Sequence, residues 1–397
     1  MSVDSGIATD IAVEASVPWL PPARLSRRHA LLGAAALLAP LAAGVGRAAE
    51  AATEIPAPAH PDRLIRLSSN ENPYGPSPAA RRAILASIAE APRYADDSIV
   101  RLIQALAERE HFDRKQLVIG SGSGEILNMA GLLAAEGGAG GELVAAEPTF
   151  EALPEFAAKF GVVSRTVPLD ADHRHDLAAM RAAVTNNTRL VYVCNPNNPT
   201  GTAMRRDELE GFIRTLPEAT LVLVDEAYID LADAKGVATI VELVKERPNL
   251  LVTRTFSKIH GLAGLRVGYA IASPALAARL RSKQLAFPNI AGLRAALASL
   301  GDHRFLAETR QALIADRNRI EATVDRSGMA RAQSQGNFVF FDTGRPVREF
   351  AKAMLDKGIQ VGRPFARYAT WARVTVGTRA EVDRLLAVLP SELPRRG

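Results

Sequence analysis

Small and polar residues follow the ends of five short apolar segments in this sequence. A Gly/Ser loop at residues 120–125 offers free backbone N–H groups ahead of a helix, and such groups suit a phosphate. Phe150 follows the next segment and presents a ring that can stack on a flat ligand. An Asn/Pro loop at 195–201, an acidic pair at 225–226 and a Thr/Ser/Lys run at 253–258 complete the set. Each feature alone is typical of a turn or a strand cap, but five in this order indicate one ligand site.

The apolar segments alternate with stretches of helical length, and this alternation predicts an α/β fold. Because the segments are apolar throughout, we expect strands buried on both faces, in a mostly parallel sheet covered by helices. Ligands of such sheets bind beyond the carboxyl ends of the strands, where the polar residues lie. From about residue 291, charged helices and further strands predict a second, smaller α+β domain. The predicted strands are 117–119, 142–146, 162–167, 190–194, 221–224, 250–253 and 266–271 in the sheet, and 337–342 and 372–377 in the smaller domain.

Length and composition fit a folded enzyme of two parts. The 397 residues are 48% hydrophobic and 23% charged, values near those of ordinary globular chains, which argues against disorder and repeats. The net charge of +5 is spread along the chain, so we do not expect nucleic-acid binding. The single Cys194 excludes an intrachain disulfide and a cysteine-based metal cluster. His173 and His175 lack a nearby third ligand, which predicts a solvated loop and no metal site.

Residues 1–51 are typical of a twin-arginine export signal. Arg27 and Arg28 stand directly ahead of an uncharged Ala/Leu-rich run at 30–45, which is short for a permanent membrane helix. The alternative is an amphipathic or core helix, but the run is apolar on all sides. If the signal is functional, the protein is periplasmic and contacts the membrane only during export. If it is not functional, the protein is cytoplasmic. Residues 52–80 are then a linker and an N-terminal arm.

The motifs together resemble those of the fold-type I aminotransferases that use pyridoxal 5'-phosphate, and within them the histidinol-phosphate aminotransferase-like branch. The resemblance covers nearly all of the chain after the signal. It implies a large cofactor-binding domain at 81–290, with about seven strands in a mostly parallel mixed sheet, and a small C-terminal α+β domain at 291–397. The motifs that carry it are SSNENPYGP at 68–76, RYAD at 93–96, NPTG at 198–201, DEAY at 225–228, Ser257-Lys258 followed by Arg266, and ARVTVG at 372–377.

The resemblance assigns a role to each residue of the cofactor site. Lys258 would bind the cofactor aldehyde covalently and later move the Cα proton of the substrate. Asp225 would keep the pyridine nitrogen charged, while Tyr228 and Asn198 would donate hydrogen bonds to the ring oxygen. Phe150 would stack on the ring, although the branch usually has Tyr there. The phosphate would bind Arg266, Ser257, Thr255, the backbone of Ser123 and Gly124, and Tyr94 from a neighbouring subunit of a homodimer with shared active sites.

Substrate contacts are expected near both ends of the chain. Arg373 is either a surface residue of a half-buried strand or a clamp for the substrate carboxylate, and the resemblance favours the clamp. Tyr74 and Asn337 match further substrate-pocket positions, and Arg363 is a candidate specificity residue. Gly124 stands where an Asp is common, so only its backbone can contribute.

These features predict an exported aminotransferase that moves an amino group from an L-amino acid, or a related amine such as histidinol phosphate, to a 2-oxo acid. One alternative is a decarboxylase, lyase or racemase on the same scaffold, because those enzymes share the cofactor site. A second alternative is a non-enzymatic periplasmic binding protein, which retention of Lys258 argues against.

Overall fold

A computed structural model describes residues 64–138, 140–365 and 367–394 of the chain. The predicted export signal at 1–51 lies outside the described residues, as does most of the linker that follows it. In the described ranges there is no helix with the length and apolar character needed to cross a membrane.

A seven-stranded mixed sheet forms the centre of the large domain. Its strand order is β2-β8-β7-β6-β5-β3-β4, and only β8 runs antiparallel to its neighbours. The predicted mostly parallel α/β sheet is therefore confirmed. The strands are β2 (Leu117–Gly120), β3 (Glu142–Glu147), β4 (Val163–Pro168), β5 (Thr188–Cys194), β6 (Leu221–Asp225), β7 (Leu250–Thr255) and β8 (Gly268–Ala272).

The last strand of the sheet begins later than the sequence predicts. Arg266, expected to open it, has a φ of 52° and therefore the left-handed conformation, which no extended strand residue adopts. The strand starts only at Gly268. This turn directs the Arg266 side chain toward Ser257 instead of placing it in the sheet.

Helices cover both faces of the sheet, because alternate side chains of each central strand enter opposite cores. Val222 and Val224 of β6 belong to one apolar cluster, whereas Leu223 belongs to the other. The large-domain helices are α1 (Pro78–Ser87), α2 (Asp96–Glu110), α3 (Ser123–Ala135), α4 (Ala152–Ala158), α5 (Leu177–Ala183), α6 (Arg206–Thr215), α7 (Pro274–Arg281) and α8 (Ile290–Leu300).

Helix α8 packs with the large domain, and residue 291, the predicted start of the small domain, lies within this helix. Its apolar residues Leu293, Ala296 and Leu300 are buried in the same cluster as Leu102 and Leu106 of α2. The next helix, α9, contributes Leu313 and Ile320 to a separate core. Packing therefore places the start of the small domain at α9.

The small domain combines helices with two short sheets. Strands β9 (Phe338–Asp342) and β11 (Trp371–Thr375) pair antiparallel, and the N-terminal β1 (Ile65–Leu67) pairs parallel with β10 (Ile359–Val361). The N-terminal arm thus joins this domain through hydrogen bonds to residues almost 300 positions away. The helices are α9 (His303–Arg326), α10 (Val347–Asp356) and α11 (Arg379–Glu392).

A buried ion-pair network ties α2 to the central strands. The guanidinium of Arg254 in β7 donates to both carboxylate oxygens of Glu110 at 3.1 and 3.2 Å and to Glu226 at 3.1 Å. The hydroxyl of Tyr269 also donates to Glu110, at 2.7 Å. Glu226 directly follows Asp225, so the network holds the strand end that presents Asp225 on the opposite face.

Candidate active site

A cavity of about 690 Å³ opens where β2, β3, β5, β6 and β7 end. Eleven of the fourteen predicted site residues line it, although they come from loops spread along 250 positions of the chain. The eleven are Ser123, Gly124, Phe150, Asn198, Asp225, Tyr228, Thr255, Ser257, Lys258, Arg266 and Arg373.

Lys258 projects into the cavity from the loop after β7. Its Nζ donates to the backbone carbonyls of Asn70 at 3.0 Å and Ser69 at 3.4 Å. Burial, with the positive charges of Arg373 and Arg266, lowers the pKa of this amine to about 8, although Glu71 and Asp225 act in the opposite sense. About a tenth of the amine is therefore neutral and nucleophilic at pH 7, far more than for an ordinary lysine.

Asp225 ends β6 on the floor of the cavity and is only 2% exposed. Its Oδ1 accepts hydrogen bonds from the Ala227 N–H at 3.1 Å and the Thr253 hydroxyl at 3.2 Å. Burial raises the pKa of the carboxyl to about 6, against the opposing effect of these hydrogen bonds and of Lys258. A cationic ring nitrogen next to this carboxyl would restore its ionised form.

Tyr228 and Asn198 occupy neighbouring positions in the cavity and are each held by a specific partner. The hydroxyl of Tyr228 accepts a hydrogen bond from the Asn70 amide at 3.0 Å, and burial raises the pKa of the phenol. The Oδ1 of Asn198 accepts from the Arg373 guanidinium at 2.5 Å, which leaves the Asn198 amide N–H groups for other acceptors.

A cradle for a dianion lies at the start of α3. This helix begins at Ser123 without a side-chain cap, so its first N–H groups are free. Gly122 has a φ of 79°, and a Cβ there would come within 2.2 Å of the Arg266 guanidinium. The Arg266 Nη1 reaches Ser257 at 3.4 Å, and Thr255 donates to Ser257 at 2.9 Å. Helix end, guanidinium and hydroxyls together match the acceptors of a phosphate group.

Arg373 is a buried cation without an anionic partner. The residue is 8% exposed, and its guanidinium donates to Asn198 and to the Ser68 carbonyl at 2.7 Å, while Nε has no partner. In the described part of the chain no carboxylate lies within ion-pair distance of it. Arg254, equally buried, instead binds two carboxylates. Because an unpaired buried charge is costly, the arrangement at Arg373 is that of an anion-binding site.

The mouth of the cavity is formed by both domains. Phe150 is 37% exposed beside Glu151, whose carboxylate pairs with Arg363 of the small domain. The Arg363 guanidinium also lies 4.6 Å from the centroid of the Phe365 ring. Arg363 therefore already has an anionic partner, in contrast to Arg373.

Three predicted site residues lie outside the cavity lining. The Tyr74 hydroxyl accepts a hydrogen bond from the Arg379 backbone at 3.1 Å, and its ring packs on the small-domain core. Asn337 is buried behind the lining, where its amide donates to the carbonyls of Asn70 and Glu71 at 3.2 and 3.0 Å. Tyr94 is 96% exposed just ahead of α2. In the described chain, Tyr74 and Tyr94 make no hydrogen bond to a residue of the cavity lining. Asn337 does, because Asn70 and Glu71, which accept from its amide, both line the cavity.

The structure also adds residues that the sequence reasoning did not single out. Ser68, Ser69, Asn70 and Glu71 of the N-terminal arm line the cavity, as do Cys194 and Gln360. The motif at 68–76 marked this arm, but no local pattern shows which of its residues turns inward. The prediction of a solvated histidine loop is wrong for His175, which is buried with Nε2 2.9 Å from the Cys194 carbonyl oxygen.

Fold and cavity define an enzyme with an amine-reactive lysine, a buried acid and a phosphate cradle at one sheet edge. The family model for aminotransferase class I and II matches residues 62–389, and the chain belongs to this family. It is 41% identical over 330 residues to the aromatic amino acid aminotransferase of Rhodococcus jostii, covering 82% of this chain and 90% of that one. It is 40% identical over 332 residues to histidinol-phosphate aminotransferase 2 of Pseudomonas aeruginosa, covering 83% and 89%.

The structure of histidinol-phosphate aminotransferase from Sinorhizobium meliloti, in complex with pyridoxal-5'-phosphate, is similar. The two have a TM-score of 0.78 and 32% sequence identity, over 83% of this chain and 90% of the other. The protein is thus a pyridoxal-phosphate-dependent aminotransferase with a fold-type I architecture. The matched relatives carry aminotransferase names, which disfavours the predicted alternatives of a lyase, a racemase or a binding protein.

The residues of the cavity fit pyridoxal phosphate. The uncapped helix end with Arg266 suits its phosphate, Asp225 its ring nitrogen, Tyr228 and Asn198 its ring oxygen, and Lys258 its aldehyde. When bound, the cofactor supplies an electrophilic carbon for the amino group and a ring that accepts electrons from Cα. Asp225 would hold the proton on the ring nitrogen, and Lys258 would take the proton from Cα and deliver it to the carbon that carried the cofactor aldehyde.

We predict that Asp225→Asn stabilises the cofactor-free protein while impairing catalysis. The pKa of this carboxyl rises from 3.8 to about 6 on folding, so ionising it in the folded state is costly. The penalty is absent below about pH 4, grows as the pH rises to about 6, and stays constant above, at roughly 3 kcal/mol. Asn keeps the acceptor for Thr253 and Ala227. Denaturant unfolding of the cofactor-free proteins at pH 4 and pH 8 measures the difference.

The exposed Asp172→Asn is the matched control and should change stability little at either pH. A mutant that is less stable than the wild type at pH 8, or equally stabilised at both pH values, would contradict the prediction. Loss of transamination in Asp225→Asn then reports the separate role of the carboxylate at the ring nitrogen.

Proposed function

We propose that this enzyme exchanges an amino group between an L-amino acid and a 2-oxo acid, with Arg373 binding the substrate carboxylate. The observation that carries the proposal is the buried, unpaired guanidinium of Arg373 on the cavity wall. A guanidinium has five N–H donors, of which this one uses two for Asn198 and Ser68. The remaining donors can bind a carboxylate through two oxygens without breaking either anchor.

The side chain of the substrate is the second part of the proposal. The similar proteins are named for aromatic amino acids and for histidinol phosphate, which differ in carrying a carboxylate or a phosphate. Phe150 lines the mouth of the cavity and is 37% exposed, so its ring is open to a ligand. This exposed aromatic surface favours an aromatic amino acid. Histidinol phosphate is the alternative substrate, and half-reactions with each, followed by the absorbance of the cofactor, distinguish them.

Arg373→Ala should lower kcat/KM for amino acids by about two to three orders of magnitude. The loss follows because the guanidinium both binds the carboxylate and sets which Cα bond is aligned for cleavage. Arg373→Lys should recover only part of the activity, since an ammonium lacks the planar fork. Steady-state kinetics with an aromatic amino acid and 2-oxoglutarate provide the measurement.

Arg348→Ala serves as the matched control, because Arg348 is an exposed arginine of the same domain on α10. It should leave kcat/KM within about twofold of the wild type. Full activity of Arg373→Ala, or a preference for amines without a carboxylate, would refute the clamp and point to Arg363.

We further propose that the enzyme acts as a homodimer in which Tyr94 contacts the cofactor phosphate of the partner. Tyr94 is 96% exposed, and the exposed apolar side chains of Leu85, Ile88 and Val100 lie on the neighbouring helical segments. A surface of this kind is expected to be covered in an oligomer. The cavity of one chain takes no residue from the segment around Tyr94.

Mixing a Lys258→Ala chain with a Tyr94→Phe chain tests this arrangement. Each mixed dimer has one site with both lesions and one with neither. Equal mixing should therefore restore about a quarter of the wild-type sites, against low activity for each parent. A strictly monomeric active protein in light scattering, or no recovery after subunit exchange, would contradict shared sites.

We also propose that the protein is exported through the twin-arginine route. The family match begins at residue 62, so the paired arginines and the apolar run precede the enzyme itself. Crossing the membrane already folded would allow the cofactor to be captured in the cytosol. Arg27→Lys with Arg28→Lys should retain the protein in the cytosol, whereas Arg24→Lys, outside the pair, should not. Cell fractionation measures the distribution, and a cytosolic, uncleaved wild type would refute export.

A further inference from the structure

The arm residue Asn70 lies at the junction of the cavity floor, the small domain and Lys258. It is 1% exposed and has a φ of 54°, a left-handed conformation that Asn adopts more readily than most residues. Its backbone carbonyl accepts from the Nζ of Lys258, and the Asn337 amide donates to the same carbonyl. Asn70 belongs to the motif at 68–76, but nothing in the sequence around it indicates a role.

The hydrogen bonds of Asn70 fix the orientation of its amide. The Oγ1 of Thr375 accepts from the Asn70 N–H at 2.9 Å and donates its own proton to the Asn70 Oδ1 at 3.2 Å. Among the described residues, the Asn70 Oδ1 is the only acceptor within hydrogen-bond distance of the Thr375 hydroxyl, so the amide oxygen faces Thr375 and the amide nitrogen faces Tyr228. The nitrogen then donates to the Tyr228 hydroxyl at 3.0 Å.

This contact determines what the Tyr228 hydroxyl can do. A phenol has one proton to donate, and here its oxygen is already an acceptor, so the proton is free for another partner. Tyr228 lines the cavity, and none of the described residues accepts a hydrogen bond from its hydroxyl. We propose that Asn70 is a positioning residue that directs the proton of Tyr228 to the ring oxygen of the cofactor.

The charged groups around Tyr228 cannot provide this direction. Arg373 and Asp225 lie near enough to influence the phenol, and the Lys258 Nζ is 5.3 Å from the centroid of its ring. Of the described residues, only Asn70 makes a hydrogen bond to the Tyr228 hydroxyl. A donor that bonds to the hydroxyl oxygen also polarises its O–H group and strengthens the onward hydrogen bond.

The pH midpoint of the absorbance change of the substrate-free holoenzyme measures this effect. A donor at the ring oxygen stabilises its anionic form, so losing the donor makes the cofactor–lysine linkage hold its proton to higher pH. Tyr228→Phe should raise the midpoint by about one to two pH units. Asn70→Gly keeps the backbone conformation and the carbonyl for Lys258 but removes the amide, and should raise the midpoint by about half a unit to one unit.

The double variant separates positioning from a general structural role. If Asn70 acts through Tyr228, adding Asn70→Gly to Tyr228→Phe should leave the midpoint of Tyr228→Phe unchanged. Asn72→Gly is the matched control. It makes the same substitution on the same arm, at a buried Asn outside the cavity lining whose amide donates to the Ile259 carbonyl at 2.7 Å, so its midpoint should equal that of the wild type.

Three results would overturn the proposal. They are a wild-type midpoint in Asn70→Gly, additive shifts in the double variant, and an equal shift in Asn72→Gly. Should Asn70→Gly bind no cofactor, Asn70→Ser supports the same comparison. The serine side chain is too short to reach the Tyr228 hydroxyl, so the midpoint of this variant should shift in the same direction.

Discussion

The structure depends on gathering four charged groups around one cavity, Asp225 and Arg373 among them buried, without pairing them to one another. Lys258, Asp225, Arg266 and Arg373 all line the cavity, and within the described residues none forms an ion pair. Unpaired charges in a poorly solvated site oppose folding, as the altered pKa values of Lys258 and Asp225 show. A cofactor with a phosphate, a basic ring nitrogen and an aldehyde, together with the carboxylate of a substrate, would compensate each of them. The rest of the fold must supply the stability that the cavity costs.

The central strands provide that support by alternation. Asp225 and Thr253 face the cavity, whereas Glu226 and Arg254, each one residue further along its strand, face the opposite side. On that opposite side Arg254 pairs with both Glu110 and Glu226, so a complete ion-pair network lies directly behind the unpaired charges of the cavity. Removing one partner of such a network costs more than its net contribution, because the other charge stays buried. The two buried arginines thus serve opposite purposes, which their partners alone reveal.

Much of this organisation could be predicted from local sequence. The apolar segments located all seven strands of the sheet, and the residues that follow them supplied most of the cavity lining. What local sequence could not show depends on distant contacts. Asn70 and Thr375 are 305 positions apart, and neither neighbourhood indicates the other. No local pattern shows which domain helix α8 joins, and only its packing with Leu102 and Leu106 assigns it to the large one. Arg266 reads as the start of a strand until its left-handed turn is seen.

The N-terminal arm connects the residues suited to the cofactor with the residue suited to the substrate carboxylate. Strand β1 pairs with β10 of the small domain, and the next residues pass over the cavity to contact Arg373, Lys258 and Tyr228. Arg373 in turn donates to Asn198, the second residue suited to the ring oxygen. The two candidate donors to that oxygen are therefore held in place by neighbours: Tyr228 by Asn70 of the arm, and Asn198 by Arg373 of the substrate site. Since Arg373 has donors to spare, a carboxylate can bind there while Asn198 keeps its orientation. Binding of substrate and alignment of the ring-oxygen donors then share one set of hydrogen bonds instead of competing for it.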